Sequence, residues 1–220
     1  MSNAAFPIEQ ALTQLTELMP QYAQPLIDQM RAEQQTPFQI LVATVLSLRT
    51  QDTLTAVVAP RLFAVAATPA ALAALSEERI AELIYPVGFY RTKARQLREI
   101  SRILLERFNG EVPSDLDTLL TLPGVGRKTA NLTVSAGFNL PAICVDIHVH
   151  RISNRWGYVA TKTPDETEMR LRAQLPQDWW IPVNTLLVTF GQQICRPTSP
   201  HCSQCPLSAV CPRIGVTRSR

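Results

Sequence analysis

Three groups of residues in this 220-residue chain have types and spacings suited to chemistry. The first is Leu122-Pro123-Gly124-Val125-Gly126-Arg127-Lys128, where a short helical pattern ends, two glycines follow at i and i+2, and a new helical pattern starts at once. Glycine has no Cβ, so Gly124 and Gly126 let the backbone turn tightly and approach another group closely. The helix that follows presents free N–H groups and its positive dipole end, a ready site for phosphate. Glycine turns also serve as plain connections between helices, so the hairpin alone does not decide. Lys128 adds weight, because a cation is poorly placed on the first turn of a helix. Partial burial and the helix N-terminus would both disfavour its ammonium form, leaving an amine able to attack an electrophilic carbon and form a Schiff base. The second group lies eighteen residues on, in Val145-Asp146-Ile147-His148-Val149-His150-Arg151. Asp146 stands where an N-cap would, and its carboxylate suits proton uptake or stabilisation of a developing cation. His148 is a candidate contact near such a site, and His150 reads as structural or exposed.

The third group is Cys195-x6-Cys202-x2-Cys205-x5-Cys211, a compact loop interleaved with Pro197, Pro200, Pro206 and Pro212. Four thiolates suit zinc or a [4Fe–4S] cluster. Only Cys202 and Cys205 have the paired spacing of a zinc knuckle, which leans towards a cluster and leaves zinc open. The fifth cysteine, Cys144, sits in an apolar stretch and reads as a buried thiol. An odd cysteine count without a basic leader in Met1–Pro20 argues against a disulfide framework and for a reducing, cytoplasmic setting.

The elements that must position these groups read as helices. Ile8, Leu12, Leu15, Leu18 and Met19 fall at helical spacing, as do Phe38, Leu41, Val42, Val45 and Leu46. Ser76 is a candidate N-cap for the stripe Ile80, Leu83, Ile84. Leu97, Ile100, Ile103, Leu104 and Phe108 form another face, closed by Asn109-Gly110. A short helix opens at Ser114–Asp117 and ends near Leu122, and further helices are expected over 127–138, 147–156, 165–174 and 182–194. Strand-like alternation is missing, so the expectation is an all-α fold of roughly ten or more helices.

Composition narrows the classes. Hydrophobic residues make up 46% and charged residues 18% of the chain, which excludes a disordered chain and a coiled-coil rod. No apolar run is long enough to span a membrane. Net charge is +3, balanced over residues 1–110 (10 basic, 10 acidic) and positive over 111–220 (11 basic, 8 acidic). An anionic partner must therefore be held by local patches. Candidates are the hairpin, Arg196 and the run Arg91, Lys93, Arg95, Arg98, Arg102, Arg107, whose plainer reading is a solvated helix face. Met1–Ala5 has the small, polar look of a processing remnant.

The stretch LPGVGRKTAN at Leu122–Asn131, followed by Val145-Asp146-Ile147-His148, resembles the helix-hairpin-helix glycosylase superfamily, and within it the endonuclease III family of DNA repair enzymes. The likeness runs from about Phe38 to Cys211. It implies a two-lobed all-α fold, with a helical barrel over residues 30–140 and a discontinuous lobe of residues 1–29 and 141–220 that carries a C-terminal iron–sulfur cluster loop. It implies that Lys128 and Asp146 are the catalytic pair and that Cys195, Cys202, Cys205 and Cys211 bind a [4Fe–4S] cluster. The implied activity is removal of oxidised pyrimidines from double-stranded DNA and cleavage of the strand at the abasic site. A base inside a duplex is out of reach, so it must be extruded, and side chains from two loops fill the gap. The aligned residues are Arg49, where the family usually has Gln, and Phe89, an apolar wedge. Gly124, Gly126, Arg127 and His148 complete the expected DNA contacts. Family members that excise adenine usually carry a further C-terminal domain, whereas this chain runs only to Arg220. The same fold with mismatched uracil or thymine as substrate, and a DNA-binding module without catalysis, are the alternatives. The expected protein is a monomeric, cytoplasmic enzyme associated with DNA in a bacterium or archaeon.

Overall fold

The computed structural model describes residues 6–220; Met1–Ala5 lie outside them. All regular elements among the described residues are helical. They are α1 (Ile8–Leu18), α2 (Leu26–Ala32), α3 (Pro37–Ser47), α4 (Asp52–Phe63), α5 (Pro69–Ala74), α6 (Glu77–Ile84), α7 (Tyr90–Phe108), α8 (Leu116–Leu120), α9 (Arg127–Leu132), α10 (Ile147–Arg155), α11 (Pro164–Gln174) and α12 (Pro182–Gln193). The chain divides into two compact units, one of Leu26–Ala142 and one of the residues up to Pro25 with Ile143–Arg220.

The unit Leu26–Ala142 is built on α3. Phe38 and every residue from Ile40 to Leu46 are buried, so this helix is apolar all round and central. Its start is fixed by a capping box: Gln39 N–H donates to Thr36 Oγ1 at 3.3 Å, and Thr36 N–H to Gln39 Oε1 at 3.0 Å. Both α5 and α6 pack on α7. The expected Ser76 cap is present, accepting from Arg79 N–H at 3.1 Å. The end of α7 also forms as expected, with Asn109 and Gly110 at positive φ and Gly110 N–H donating to Leu104 O at 2.8 Å. The basic run on α7 is mostly a solvated face. Arg102 pairs with Glu99 at 2.7 Å and Glu106 at 2.5 Å, and these exposed pairs contribute little. Lys93 departs from that face and is buried.

The helix expected over 127–138 forms over that span, with α9 (Arg127–Leu132) continuing directly into a π-helical turn at Thr133–Gly137 that ends at Phe138. Thr133 Oγ1 donates to Thr129 O at 2.9 Å and Ser135 Oγ to Leu132 O at 3.3 Å, bonds that compete with the regular ladder. The short helix expected to open at Ser114–Asp117 and end near Leu122 forms as Leu116–Leu120, and Thr121 and Leu122 already belong to the hairpin turn.

In the other unit the core joins α1, α10, α11 and α12. Leu12, Leu15, Ile152, Trp156, Leu171, Leu187 and Phe190 are fully or almost fully buried. Phe6 stacks on Trp156 with ring centroids 4.8 Å apart. At Gly191 on α12, an added Cβ would lie 2.5 Å from His148 Nδ1 and 2.8 Å from Arg151 Nη2. Glycine is thus what lets α12 approach the polar face of α10.

Candidate active site and cysteine pocket

The hairpin is a turn between α8 and α9. Asp115 caps α8 by accepting from Thr118 N–H at 2.8 Å, and Val125 N–H closes the turn onto Leu122 O at 3.1 Å. Its two glycines differ. Gly124 has φ +76° and lies against Gln96, whose Nε2 would be 2.5 Å from an added Cβ. Gly126 has an ordinary φ of −99° as the N-cap of α9, and an added Cβ would meet nothing within 4 Å. The chain itself therefore does not demand glycine at 126. Arg127 is half-buried at the first position of α9, and Lys128 is exposed at the second. Partial burial of Lys128, expected from the sequence, is not found; α9 places the amine on the surface.

Asp146 caps α10 as expected, its Oδ1 accepting from His148 N–H at 2.8 Å and Val149 N–H at 2.9 Å. Both capping bonds use one oxygen of the carboxylate. Ile147 beside it is 66% exposed, a large apolar side chain in water next to the carboxylate. His148 is half-buried, with Nδ1 3.1 Å from Arg151 Nη2. His150 is half-buried as well, with Nδ1 2.7 Å from Thr167 Oγ1, a structural contact. Lys128 and Asp146 belong to different units.

Arg49 and Phe89 are brought together. Phe89 is 61% exposed, and the Arg49 guanidinium carbon lies 5.5 Å from its ring centroid. Both are non-glycine residues in the left-handed region, at φ 52° and 59°, a conformation that costs roughly 1–2 kcal/mol per residue. Their loops touch through the backbone: an added Cβ at Gly88 would lie 2.8 Å from Arg49 O. Arg61 of α4 steadies the approach to Phe89 by donating to Leu83 O at 2.6 Å and to Tyr85 O.

The four cysteines line one recess, together with Arg155, Trp156, Phe190 and His201. The loop has little regular structure beyond a 3-10 turn at Cys202–Gln204. Arg155, 9% exposed, reaches in from α10 and donates to Arg196 O and Pro197 O, both at 2.7 Å, and towards Cys195 Sγ at 3.4 Å. Arg151 donates to Cys195 O at 2.9 Å. Burial pushes the Cys205 thiol up to about 11 and raises Cys211 in the same way, with the neighbouring cysteines adding repulsion between thiolates. Deprotonating this set needs a compensating cation. Among the described residues no three His, Cys, Asp or Glu side chains converge closely enough to hold a single metal ion. His201 Nε2 is buried without a partner at the same recess. Cys144 is buried elsewhere, as expected.

Two residues of these sites, Arg151 and Arg155, were given no role by sequence reasoning, and a third, Lys93, was read only as part of the basic run of α7. Lys93 stands in register with Leu97, Ile100 and Leu104, and that helical spacing was the signal for its burial. Arg151 and Arg155 follow His148 at i+3 and i+7, one face of α10, a signal easily lost in a polar stretch.

Residues 42–177 match the model of the HhH-GPD superfamily base excision DNA repair proteins. Endonuclease III of Thermotoga maritima is 51% identical over 175 residues, covering 80% of this chain and 82% of the relative. Endonuclease III of Bacillus subtilis is 40% identical, covering 84% of each. The structure of a trapped endonuclease III–DNA covalent intermediate superposes with a TM-score of 0.84 at 37% identity, covering 94% of each chain. A thermostable thymine-DNA glycosylase, 22% identical with a TM-score of 0.80, shares the fold. With its all-α helix-hairpin-helix glycosylase fold, the chain belongs to the endonuclease III family of the HhH-GPD superfamily of base excision DNA repair proteins.

Proposed function

We propose that Lys128 and Asp146 are the catalytic pair through which this chain removes oxidised pyrimidines from double-stranded DNA. As a member of the endonuclease III family it is a bifunctional DNA glycosylase and abasic-site lyase. The observation that carries the residue assignment is the exposure of Lys128 on the turn that follows two hairpin glycines, where an extruded nucleotide can reach its amine.

The neutral Lys128 Nζ attacks C1′ of the extruded nucleotide, the bond from C1′ to the base breaks, and the base leaves with a proton. The C1′–O4′ bond then opens with protonation of O4′, and the resulting iminium acidifies the C2′ protons. Loss of one expels the 3′ phosphate by β-elimination, and water then releases the enzyme from the cleaved strand. Asp146 accepts the proton that Lys128 gives up and stabilises the cationic sugar. Its Oδ1 is fixed by two backbone N–H bonds, which orients the carboxylate without a further side chain. The covalent endonuclease III–DNA intermediate seen in a relative supports this route.

Arg49 and Phe89 fill the gap left by the nucleotide, and Gly124, Gly126, Arg127 and His148 contact the DNA. Cys195, Cys202, Cys205 and Cys211 fit a [4Fe–4S] cluster: all four line one recess, and only Cys202 and Cys205 have the paired spacing of a zinc knuckle. When bound, the cluster cross-links four points of the loop and adds a redox centre. No described helix is long and apolar enough to cross a membrane.

Borohydride trapping on a duplex bearing one oxidised pyrimidine tests the pair. A covalent adduct is expected with the wild type and not with Lys128→Ala. Base release without an adduct would replace the amine by water and overturn the assignment. Quantifying iron, acid-labile sulfide and zinc in the purified protein decides the cysteine ligand.

A further inference from the structure

Of the chain's three lysines only Lys93 is buried, at 4% exposure. It lies one turn into α7, and no carboxylate pairs with it among the described residues. Its ammonium donates to Leu46 O at 2.8 Å, Leu48 O at 2.6 Å and Thr50 Oγ1 at 3.2 Å. Leu46 and Leu48 offer carbonyls at the end of α3, where the helix leaves acceptors unsatisfied and its dipole favours a cation. The third bond does something else. Thr50 Oγ1 also accepts from Gly88 N–H at 3.2 Å, which joins the loop carrying Arg49 to the loop carrying Phe89. Lys93 N–H in turn donates to Phe89 O at 3.0 Å. One residue thus grips both loops, by its side chain on one and its backbone on the other.

Burying an ammonium without a counter-ion is costly, and burial lowers this one to about 8. A methionine would fill similar space at less cost but would tie down no oxygen. The loops need tying, because Arg49 and Phe89 both sit in a backbone conformation that persists only when the surroundings impose it. We propose, on the reading of Arg49 and Phe89 as the gap-filling side chains, that Lys93 is a positioning residue which holds the two loops in register for entry into the duplex. Its amine is sealed beneath the loops and does not reach substrate.

The test compares two substrates with one set of variants: Lys93→Met, Thr50→Val, Arg49→Ala and Phe89→Ala. The first substrate is a duplex with one oxidised pyrimidine and 2-aminopurine opposite it, followed in single turnover. The second is a single-stranded oligonucleotide with an abasic site, where no opposite strand leaves a gap to fill. Lys93→Met and Thr50→Val should slow excision from the duplex by about ten- to a hundredfold and leave single-strand cleavage within about twofold, the pattern of a misplaced rather than missing group. The 2-aminopurine fluorescence change should shrink in step. Added to the Arg49→Ala, Phe89→Ala double variant, Lys93→Met should cost little more, since its partners in function are gone. Equal loss on both substrates would reduce Lys93 to a fold-stabilising residue and overturn the proposal. So would slow duplex excision in the Arg49 and Phe89 variants alone. If those two variants excise normally, the gap-filling reading itself fails, and Lys93 has nothing to position. Thr50→Val removes a single hydroxyl and gives the decision should Lys93→Met not fold.

Discussion

The hairpin and wedge region of Leu26–Ala142 and the cysteine loop of the other unit are built on opposite plans. In the first, the residues assigned to DNA are on the surface: Arg49, Phe89, Gly124, Gly126 and Lys128 are all exposed. What holds them lies beneath, in the largely apolar, buried α3, the Asp115 cap of α8 and the buried Lys93. In the second, the chemistry-bearing side chains face inward on a loop with little helix, and Arg151 and Arg155 hold it by its carbonyls from α10. The difference separates two kinds of preorganisation. The first region reaches its geometry through packing and backbone caps that need no ligand. The second is held by arginines, and the proposed cluster would tie it further through its sulfurs.

Two substitutions drive the regions apart. Lys128→Ala should lower base excision at least about 10³-fold, equivalent to roughly 4 kcal/mol of barrier. An exposed side chain carries little stability, so its thermal midpoint should stay near the wild type. A large drop in midpoint would show that Lys128 is part of the scaffold and break the contrast. Arg155→Ala should do the reverse. It strips two part-buried bonds from Arg196 O and Pro197 O, at a cost of about 1.5–3 kcal/mol. The purified variant should hold less iron and melt earlier, while hairpin chemistry in the fraction still folded is retained.

Those contrasts also explain what was readable beforehand. Caps and turns are local, so Ser76, Asp146, Asn109-Gly110 and the hairpin were legible from a few neighbouring residues. The helix-hairpin-helix resemblance pointed to the family for the same reason. The burial of Lys93 was not legible, because residue type suggested a solvated face and only the spacing to Leu97, Ile100 and Leu104 said otherwise. The exposure of Lys128 was missed because the chemistry seemed to require burial within the unbound chain. The switch to π-helical bonding after Leu132 was not legible, because it depends on which hydroxyls bond back onto the helix. The helices at Leu26–Ala32, Asp52–Phe63 and Pro69–Ala74 had no stated expectation. The second of them contains Pro60 and only weak amphipathic patterning, so its apolar contacts are set by tertiary packing.

A smaller effect reports on the buried ammonium. The folded Lys93 titrates near 8 and an unfolded lysine near about 10.4. Between those values the unfolded chain binds more protons, so raising the pH through this window stabilises the fold. Below it both states are charged, and the burial penalty is felt in full. The difference in unfolding free energy between wild type and Lys93→Met should therefore move in favour of the wild type from pH 8 to 10, on the order of 1–3 kcal/mol. Taking the difference removes thiols and tyrosines common to both proteins. A flat difference would mean that the ammonium is not charged and buried in the folded chain.

The smallest stability effects sharpen the comparison within the hairpin itself. Gly124→Ala forces a left-handed φ on alanine and pushes its Cβ against Gln96, whose flexible side chain can move aside. The backbone term remains and should cost about 1–2 kcal/mol. Gly126→Ala meets neither obstacle, since its φ is ordinary and the space is open. Fewer unfolded conformations should make that variant more stable by about 0.4–1 kcal/mol. If Gly126 is glycine because a DNA backbone comes close to it, the same methyl group must weaken binding to an abasic duplex while the protein melts later. Binding measured by anisotropy alongside the melt separates the two causes. Later melting with unchanged affinity would place the DNA away from Gly126, and the exposed side of the hairpin would then be a connection between helices rather than a contact surface.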